Sequence, residues 1–274
     1  IELNSQQDLT FLWRKMSELT AKPRTALEIA EKAIAITGAS SDETSVTETP
    51  SPPADDANRT QGVILVGNKQ TKAPLQATPA EIKRMLDIIE HDILPQTESG
   101  VKEGNKVFGA AILGHDLTCD VASTNCETEC PLFHGEVKCI FDWSKKTPAS
   151  ERGSRAQSGI FLSTHEPCCM CISSILWTGF QRIFYLLPYE TTASQGIPHD
   201  INTMHELWGV NSYRKRNKYF ASACIQEMVA SLDEGEEKRN SQKQAERLLS
   251  RYNELSSKYH KEKFDNKRNS LVLG

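Results

Sequence analysis

The sequence predicts an α/β protein in which a central mixed sheet of about five strands is covered by helices on both faces. From about residue 73 onwards, segments with apolar residues at helical spacing alternate with short apolar runs typical of buried strands. The first two runs are separated by a Gly-His-Asp turn, which predicts an antiparallel hairpin. Together these patterns indicate three layers, helix on sheet on helix, with further helices at both ends of the chain.

Local signals place the individual elements in order. Thr78 is a predicted helix cap, with Pro79 in the first turn and apolar residues along one face of the helix. Residues 107–113 form a predicted strand, and residues 117–124 form its hairpin partner. After the hairpin we predict a helix over 133–143, a strand over 159–164, a helix over 168–177 and a strand over 182–188. Trp177, at the end of the last of these helices, is expected to pack in the core.

Extensions flank this domain, which we assign to residues 73–220. Residues 1–36 predict a helical extension, and residues 37–62, rich in Ser, Thr, Pro and acidic residues, predict a flexible linker. Residues 221–274 predict a second helical extension. Its apolar stripe recurs at heptad spacing and consists of Ala245, Leu248, Tyr252, Leu255 and Tyr259. Docking of this stripe onto its own domain is favoured, and a dimer contact is the alternative.

Composition and charge indicate the class of protein and the cellular compartment to expect. The chain has 274 residues, a net charge of -4 and eight cysteines, with no signal-peptide pattern and no apolar run of membrane-spanning length. We therefore expect a cytoplasmic protein without membrane association, in which disulfides are disfavoured and clustered cysteines serve a metal or catalytic role. The nearly balanced charge does not predict a nucleic-acid binder, although a local basic groove stays open.

The stretch THEPCCMCI places three cysteines directly after Pro167. Proline suits the first turn of a helix, so thiolates just after it lie at the positive end of the helix dipole, which lowers thiol pKa and favours metal binding. Cys168 and Cys171 are three residues apart on one helix face and can chelate one ion, whereas Cys169 points elsewhere. A C-x-x-C pair by itself leaves a redox dithiol, or two small buried residues, as alternatives.

A helix start upstream offers the missing partners for a metal. His134 is followed two residues later by Glu136, so an imidazole can bind zinc while the carboxylate reaches a water on the same ion. The order H-x-E followed by P-C-x-x-C is the known signature of zinc deaminases. The remaining upstream cysteines lack paired C-x-x-C spacing and are not expected to form a second zinc site; they are Cys119, Cys126, Cys130 and Cys139.

With these motifs, roughly residues 82–188 resemble the cytidine deaminase-like superfamily. The resemblance is to the branch that holds tRNA adenosine deaminases, guanine deaminase and fungal-type cytosine deaminase. That branch typically shows an EPCxMC motif, which matches the EPCCMC that begins at Glu166. It also typically has a Gly-Ala pair in the first hairpin and an Asn on the following strand, and Gly109, Ala110 and Asn125 stand at the matching positions.

The resemblance implies the cytidine deaminase-like fold and a zinc centre. His134, Cys168 and Cys171 would hold Zn²⁺ and leave a fourth position for water, whose pKa the ion lowers. Glu136 would take the proton of that water, pass it to a ring nitrogen and protonate the departing amine. The residues implied or suggested as substrate-binding are Asn125, Gly135, Ala110 and, in the loop before the cysteines, His165. Turn capping is the alternative for Asn125, and a surface or supporting role is the alternative for His165.

These residues predict a zinc-dependent hydrolytic deaminase of a small-molecule nucleobase, nucleoside or related aminated heterocycle. The first alternative is a nucleic-acid editor such as a tRNA adenosine deaminase, which the alternating basic and aromatic residues of 211–220 favour. The second is an inactive subunit that uses zinc only for folding, and the presence of Glu136 argues against it. From the resemblance we also expect a homo-oligomer, in the first instance a dimer.

Overall fold

The computed structural model describes residues 76–266, which lie in one compact unit. The predicted N-terminal extension over 1–36 and the predicted linker over 37–62 lie outside the described residues. The end of the C-terminal extension, from residue 267 onwards, lies outside them as well.

A five-stranded sheet forms the centre of the domain, with the strand order β2-β1-β3-β4-β5. Its strands are β1 (Gly109–Leu113), β2 (Cys119–Thr124), β3 (Ile160–His165), β4 (Arg182–Leu187) and β5 (Ala221–Cys224). Strand β1 is antiparallel to β2 and to β3, whereas β3, β4 and β5 run parallel to one another. The predicted mixed sheet and its hairpin are confirmed.

Helices lie on both faces of this sheet. Their bounds are α1 (Pro79–Ile88), α2 (Leu94–Lys102), α3 (Gly135–Lys146), α4 (Ala149–Ser158), α5 (Cys169–Thr178), α6 (Tyr189–Ser194), α7 (His199–Trp208), α8 (Ile225–Ala230) and α9 (Glu236–Glu262). A π-helical turn, Ile89–Ile93, joins α1 to α2. Thr78 caps α1 as predicted, because its side chain accepts from the Glu81 N–H while the Glu81 carboxylate accepts from the Thr78 N–H.

Two hydrophobic cores explain why the central strands read as continuous apolar runs. Neighbouring side chains of a strand point to opposite faces, and all six residues of β3 are buried. Leu162 packs into the core shared with α1, α2, α8 and α9. Its neighbour Phe161 packs into the second core, which α3, α4 and α5 cover with residues such as Trp143 and Ile175. The predicted three-layer α/β architecture follows from this division.

Several elements were not predicted from the sequence, among them helix α4 and strand β5. Helix α4 buries only Ala156 among its ten residues, so it has no apolar stripe to signal it. Strand β5 is a four-residue run of small side chains, ASAC, rather than the branched and aromatic residues typical of strands. Because β5 pairs with β4, the sheet continues past residue 220, where we had placed the end of the domain.

The C-terminal extension ends in a 27-residue helix, α9, that docks on its own domain. Its predicted apolar stripe is buried in the core that contains β3 and β4, which agrees with the favoured interpretation. Polar contacts flank the stripe: the Gln244 side-chain amide donates to Asp87 and Glu90 of the α1 region at 3.0 and 2.7 Å. Within residues 76–266, no helix is long and apolar enough to cross a membrane.

Candidate metal centre

The starts of helices α3 and α5 bring three potential metal ligands together. His134 is the N-cap residue of α3, Cys168 is the N-cap residue of α5, and Cys171 lies in the first turn of α5. The Nδ1 atom of His134 is 3.7 Å from the sulfur of each cysteine, and all three ligand atoms lie within 4.8 Å of one another. A tetrahedral ion with Zn–S near ~2.3 Å and Zn–N near ~2.0 Å needs an N–S separation of roughly 3.6 Å. The cluster therefore fits zinc.

Burial is the main influence on the acidity of the Cys171 thiol. Cys168 and Cys171 are both buried, and desolvation raises the pKa of the Cys171 thiol to about 12. This differs from the expectation that the helix start lowers thiol pKa, because the cost of burying a thiolate outweighs the helix dipole. Metal binding at this cluster must therefore displace thiol protons.

Cys169 is separated from the cluster, as its position in the sequence predicts. Its sulfur lies 3.6 Å from the Thr203 hydroxyl of helix α7, and it is not among the three side chains whose ligand atoms converge. The first residue of helix α5 therefore contacts a neighbouring helix, while Cys168 and Cys171 face His134.

Glu136 lies next to the three-residue cluster without being part of it. The residue is 4% exposed in the first turn of α3, and the Ser163 hydroxyl of strand β3 donates to its carboxylate at 3.0 Å. A buried carboxylate held by one hydroxyl keeps other lone pairs for a second proton donor. Ser163 was not singled out from the sequence, and the only available signal was its position on a strand that leads to the cysteines.

Asn125 and Gly135, which precedes Glu136 in the chain, are in close hydrogen-bonded contact. The Gly135 N–H donates to the Asn125 side-chain oxygen at 2.5 Å, while the Asn125 Nδ2 is buried and has no hydrogen-bond partner among the described residues. A Cβ added at Gly135 would lie 2.7 Å from the Cα of Gly109. The absence of a side chain at Gly135 thus allows close packing against β1. Ala110, the next predicted site residue, is fully buried on that strand.

A family comparison agrees with this geometry. Residues 88–187 match the model of the cytidine and deoxycytidylate deaminase zinc-binding region. The resemblance of this part of the chain to the cytidine deaminase-like superfamily is thereby confirmed. The match and the His-Cys-Cys cluster together identify zinc as the cofactor of the deaminase domain.

Solved structures similar to the deaminase domain are distant. A guanine deaminase from Nitrosomonas europaea is 15% identical, with 65% of this chain and 86% of that chain covered and a TM-score of 0.40. A guanine deaminase from Bacillus subtilis is 21% identical over 51% of this chain and 85% of its own, with a TM-score of 0.36. A structure from work on A-to-I editing by tRNA:A34 deaminases is 15% identical over 54% and 100%, with a TM-score of 0.35. No curated protein matches the chain.

His165, at the end of strand β3, is buried, and both of its ring nitrogens have protein partners. It is 1% exposed, with Nδ1 3.0 Å from the Thr164 hydroxyl and Nε2 3.0 Å from the Gln195 side-chain oxygen. Its ring packs edge-on against Phe108 and against Tyr252 of helix α9. These contacts join the sheet to the C-terminal helix, and they agree with a supporting role of His165, the alternative to its predicted place in the substrate pocket.

Asp200 is a buried acid near the site that the sequence did not reveal. It lies in the first turn of α7, where desolvation and then the charge of Glu136 raise the pKa of its carboxyl to about 8. An acid early in a helix is ordinarily explained by the helix dipole, so its proximity to Glu136 could not be inferred from sequence spacing.

The basic and aromatic segment 211–220 is partly internal. Lys215 forms an ion pair with Glu166 of the EPCCMC motif and donates to the Tyr185 hydroxyl at 3.1 Å. Its ammonium also lies 5.5 Å from the ring centre of Tyr189 and 4.4 Å from that of Tyr213. Burial lowers the pKa of Lys215 to about 8. This lysine and its aromatic neighbours therefore stabilise the loop before the zinc cysteines. The segment's exposed basic residues are Arg214, Arg216 and Lys218.

Proposed function

We propose that the protein is a zinc-dependent hydrolytic deaminase of a small aminated heterocycle, such as a nucleobase or nucleoside. The observation that carries the proposal is the buried Glu136 carboxylate, which interacts with the Cys171 thiol but lies outside the cluster of His134, Cys168 and Cys171. Three protein ligands leave one position for water, which is typical of catalytic rather than structural zinc sites. A carboxylate next to such a position is placed to move protons.

The proposed chemistry converts a ring C–NH₂ group and water into a ring carbonyl and ammonia. Zinc, when held by His134, Cys168 and Cys171, supplies a centre that makes water acidic near neutral pH. Glu136 would accept a proton from the attacking water and deliver it to the adjacent ring nitrogen. It would then take the second proton from the new hydroxyl group, which becomes the carbonyl, and pass that proton to the leaving amine. The hydrogen bond from Ser163 restricts the orientation of the Glu136 carboxylate, which supports this role.

Two buried polar groups support recognition of a small heterocycle. Asn125 Nδ2 has two hydrogens and no partner among residues 76–266, so a ring acceptor or carbonyl oxygen of the substrate would satisfy it. Asp200 interacts electrostatically with Glu136 from helix α7 and offers a second polar contact on that side. Leaving such groups unpaired is costly, so they favour a substrate with matching polar edges.

A nucleic-acid substrate is the second candidate. Its main support was the basic and aromatic segment 211–220, and the contacts of this segment weaken that support. In the segment 211–220, Lys215 is engaged with Glu166 and three tyrosine rings, and Phe220 is buried. The three exposed basic residues that are left can still contact phosphates. Binding of tRNA that falls steeply with salt would favour this alternative over a free base or nucleoside.

The test is ammonia release by the zinc-loaded protein, screened against free bases, nucleosides, nucleotides, aminated heterocycles and tRNA. With the substrate found, Glu136→Gln should lower kcat by about 10²-fold or more, the usual contribution of a general acid-base residue, while zinc stays bound. Glu151→Gln is the matched control, since Glu151 is an exposed residue of α4. Unchanged turnover in E136Q would refute the mechanism.

A further inference from the structure

A buried ion pair that the proposed chemistry does not use lies beside the metal centre. Glu127 is in the loop between β2 and α3, and its side chain has no exposed surface, while that of Lys106 is 6% exposed. The Lys106 ammonium lies 3.3 Å from Glu127 Oε1, and the Lys106 backbone N–H donates to Oε2 at 3.1 Å. One residue thus holds both oxygens of the carboxylate and restricts its orientation.

The same carboxylate also faces the histidine of the metal cluster. Glu127 Oε1 is 3.6 Å from His134 Nε2, whereas His134 Nδ1 is 3.7 Å from the sulfurs of Cys168 and Cys171. The two nitrogens of the ring therefore face different groups. A neutral imidazole carries hydrogen on one nitrogen only, and a carboxylate beside Nε2 stabilises it there. The lone pair of Nδ1 then points towards the two thiols.

Stability alone is a weak reason for this ion pair. Removing an ammonium and a carboxylate from water costs several kcal/mol per ion, and the attraction between them often does no more than offset that cost. A pair of apolar side chains could fill the same space without this cost. The position of the carboxylate next to the imidazole gives the pair a chemical role that two apolar side chains would lack.

We propose that Glu127 is a positioning residue that fixes the tautomer and orientation of His134, and that Lys106 in turn fixes Glu127. The inference rests on the proposed zinc centre of His134, Cys168 and Cys171. Histidines that bind metals commonly donate their other N–H to a carboxylate or carbonyl, which makes the imidazole a stronger donor. Loss of such a partner commonly costs about 10- to 100-fold in metal affinity.

Glu127 could position His134, as proposed, or it could only neutralise the charge of Lys106. Three variants distinguish these two roles: Glu127→Gln, Lys106→Met and the double variant. Zinc affinity is measured by competition with a chelator. We expect about 10- to 100-fold weaker binding in E127Q and in the double variant, because both lack the carboxylate. The single variant K106M keeps the carboxylate and should stay closer to the wild-type affinity. The double variant leaves no lone buried charge, so it can be measured even if E127Q does not fold.

A spectroscopic measurement distinguishes a weaker His134 ligand from a general loss of protein stability. In the cobalt(II)-substituted protein, the ligand-field bands should shift in E127Q and in the double variant, because the imidazole becomes a weaker donor. Glu81→Gln is the matched control, because it weakens another ion pair, the one between Glu81 and Arg182 at 2.9 Å. Arg182 lies at the start of β4, whereas the cysteines follow the opposite end of the sheet. Neither its zinc affinity nor its cobalt spectrum should change.

The outcomes are distinct. Wild-type zinc affinity in the double variant would mean that Glu127 only neutralises Lys106, and it would overturn the positioning role. An equal loss of affinity in E81Q would overturn it too, because the effect would then be one of overall stability. Failure of the zinc centre itself is detected separately: a wild-type protein that binds no zinc, or a Cys171→Ala variant that keeps it, contradicts the proposed function.

Discussion

Cys168, Cys169 and Cys171 are near neighbours in the chain and have different surroundings. Two of the sulfurs converge on His134, and the third lies against Thr203 of a neighbouring helix. The difference follows from helix geometry, since residues three apart share a face and adjacent residues do not.

This difference predicts the outcome of a cysteine series. Cys169→Ala should retain about one zinc per chain, whereas Cys168→Ala and Cys171→Ala should lose most of it, because each removes one of three protein ligands. Metal content of the purified proteins, measured by elemental analysis, gives the answer. Zinc lost from C169A as completely as from C171A would contradict the assignment of ligands.

Gly135 is the second residue whose identity the structure explains. We expect Gly135→Ala to destabilise the protein by about 1 to 3 kcal/mol, because the new methyl group would lie 2.7 Å from the Cα of Gly109, a backbone atom that cannot rotate away. Denaturant unfolding measures the loss.

Gly153→Ala in helix α4 is the control for this substitution. An added Cβ there meets nothing within 4 Å, so alanine should stabilise the protein by roughly 0.4 to 1 kcal/mol. If the two variants changed the free energy of unfolding in the same direction, the packing argument for Gly135 would fail.

At the level of elements, strand β3 and helix α9 are joined by a buried polar contact. The two ring nitrogens of His165 are hydrogen-bonded to Thr164, on the same strand, and to Gln195. The side-chain amide of Gln195 in turn donates to Asn253 of α9 at 2.9 Å. Burial lowers the pKa of His165 to about 4. The imidazole is therefore neutral in the folded protein at neutral pH.

This lowered pKa predicts acid sensitivity. Between pH 6.5 and about 4 the unfolded chain binds a proton at His165 that the folded protein does not, so the free energy of unfolding falls as pH falls. The contribution of the neutral His165 ring to the free energy of unfolding is fully present above pH 6.5. About 3 kcal/mol of this free energy is lost when the pH falls from 6.5 to 4. Denaturant unfolding across this range, with chelator present to keep the protein metal-free, measures the slope.

His165→Gln provides the comparison for the pH series. Glutamine does not titrate, so the variant should be less stable at pH 7 but should lose less stability between pH 6.5 and 4. Equal pH slopes for the two proteins would show that His165 does not carry the effect.

On the scale of the whole molecule, the sheet separates two cores, and the metal centre lies on one side of it. The zinc-site helices α3 and α5 belong to the second core, while α9 covers the first. Trp177 of α5 is 86% exposed, so the expectation that it packs in the core is wrong for this chain. The expected dimer and the expected cytoplasmic location stay predictions.

Most of the fold was predictable where periodicity was strong. Helix α1 with its Thr78 cap, the hairpin and the central strands agree with the sequence patterns to within a few residues. Helix α4 and strand β5 were missed, because a polar helix and a strand of small residues have no distinctive apolar pattern. Such elements are held by neighbours that are distant in the chain.

The sequence was sufficient to predict the cluster of His134, Cys168 and Cys171, and to single out Glu136 as the proposed proton carrier. These residues stand in two short helix-start motifs whose spacing is itself the signal. Only the tertiary structure decided what surrounds them. Ser163 on Glu136, Glu127 beside His134 and the nearby Asp200 are contacts made through strand pairing and loop closure. Their partners are set by packing in three dimensions, for which no local residue pattern exists.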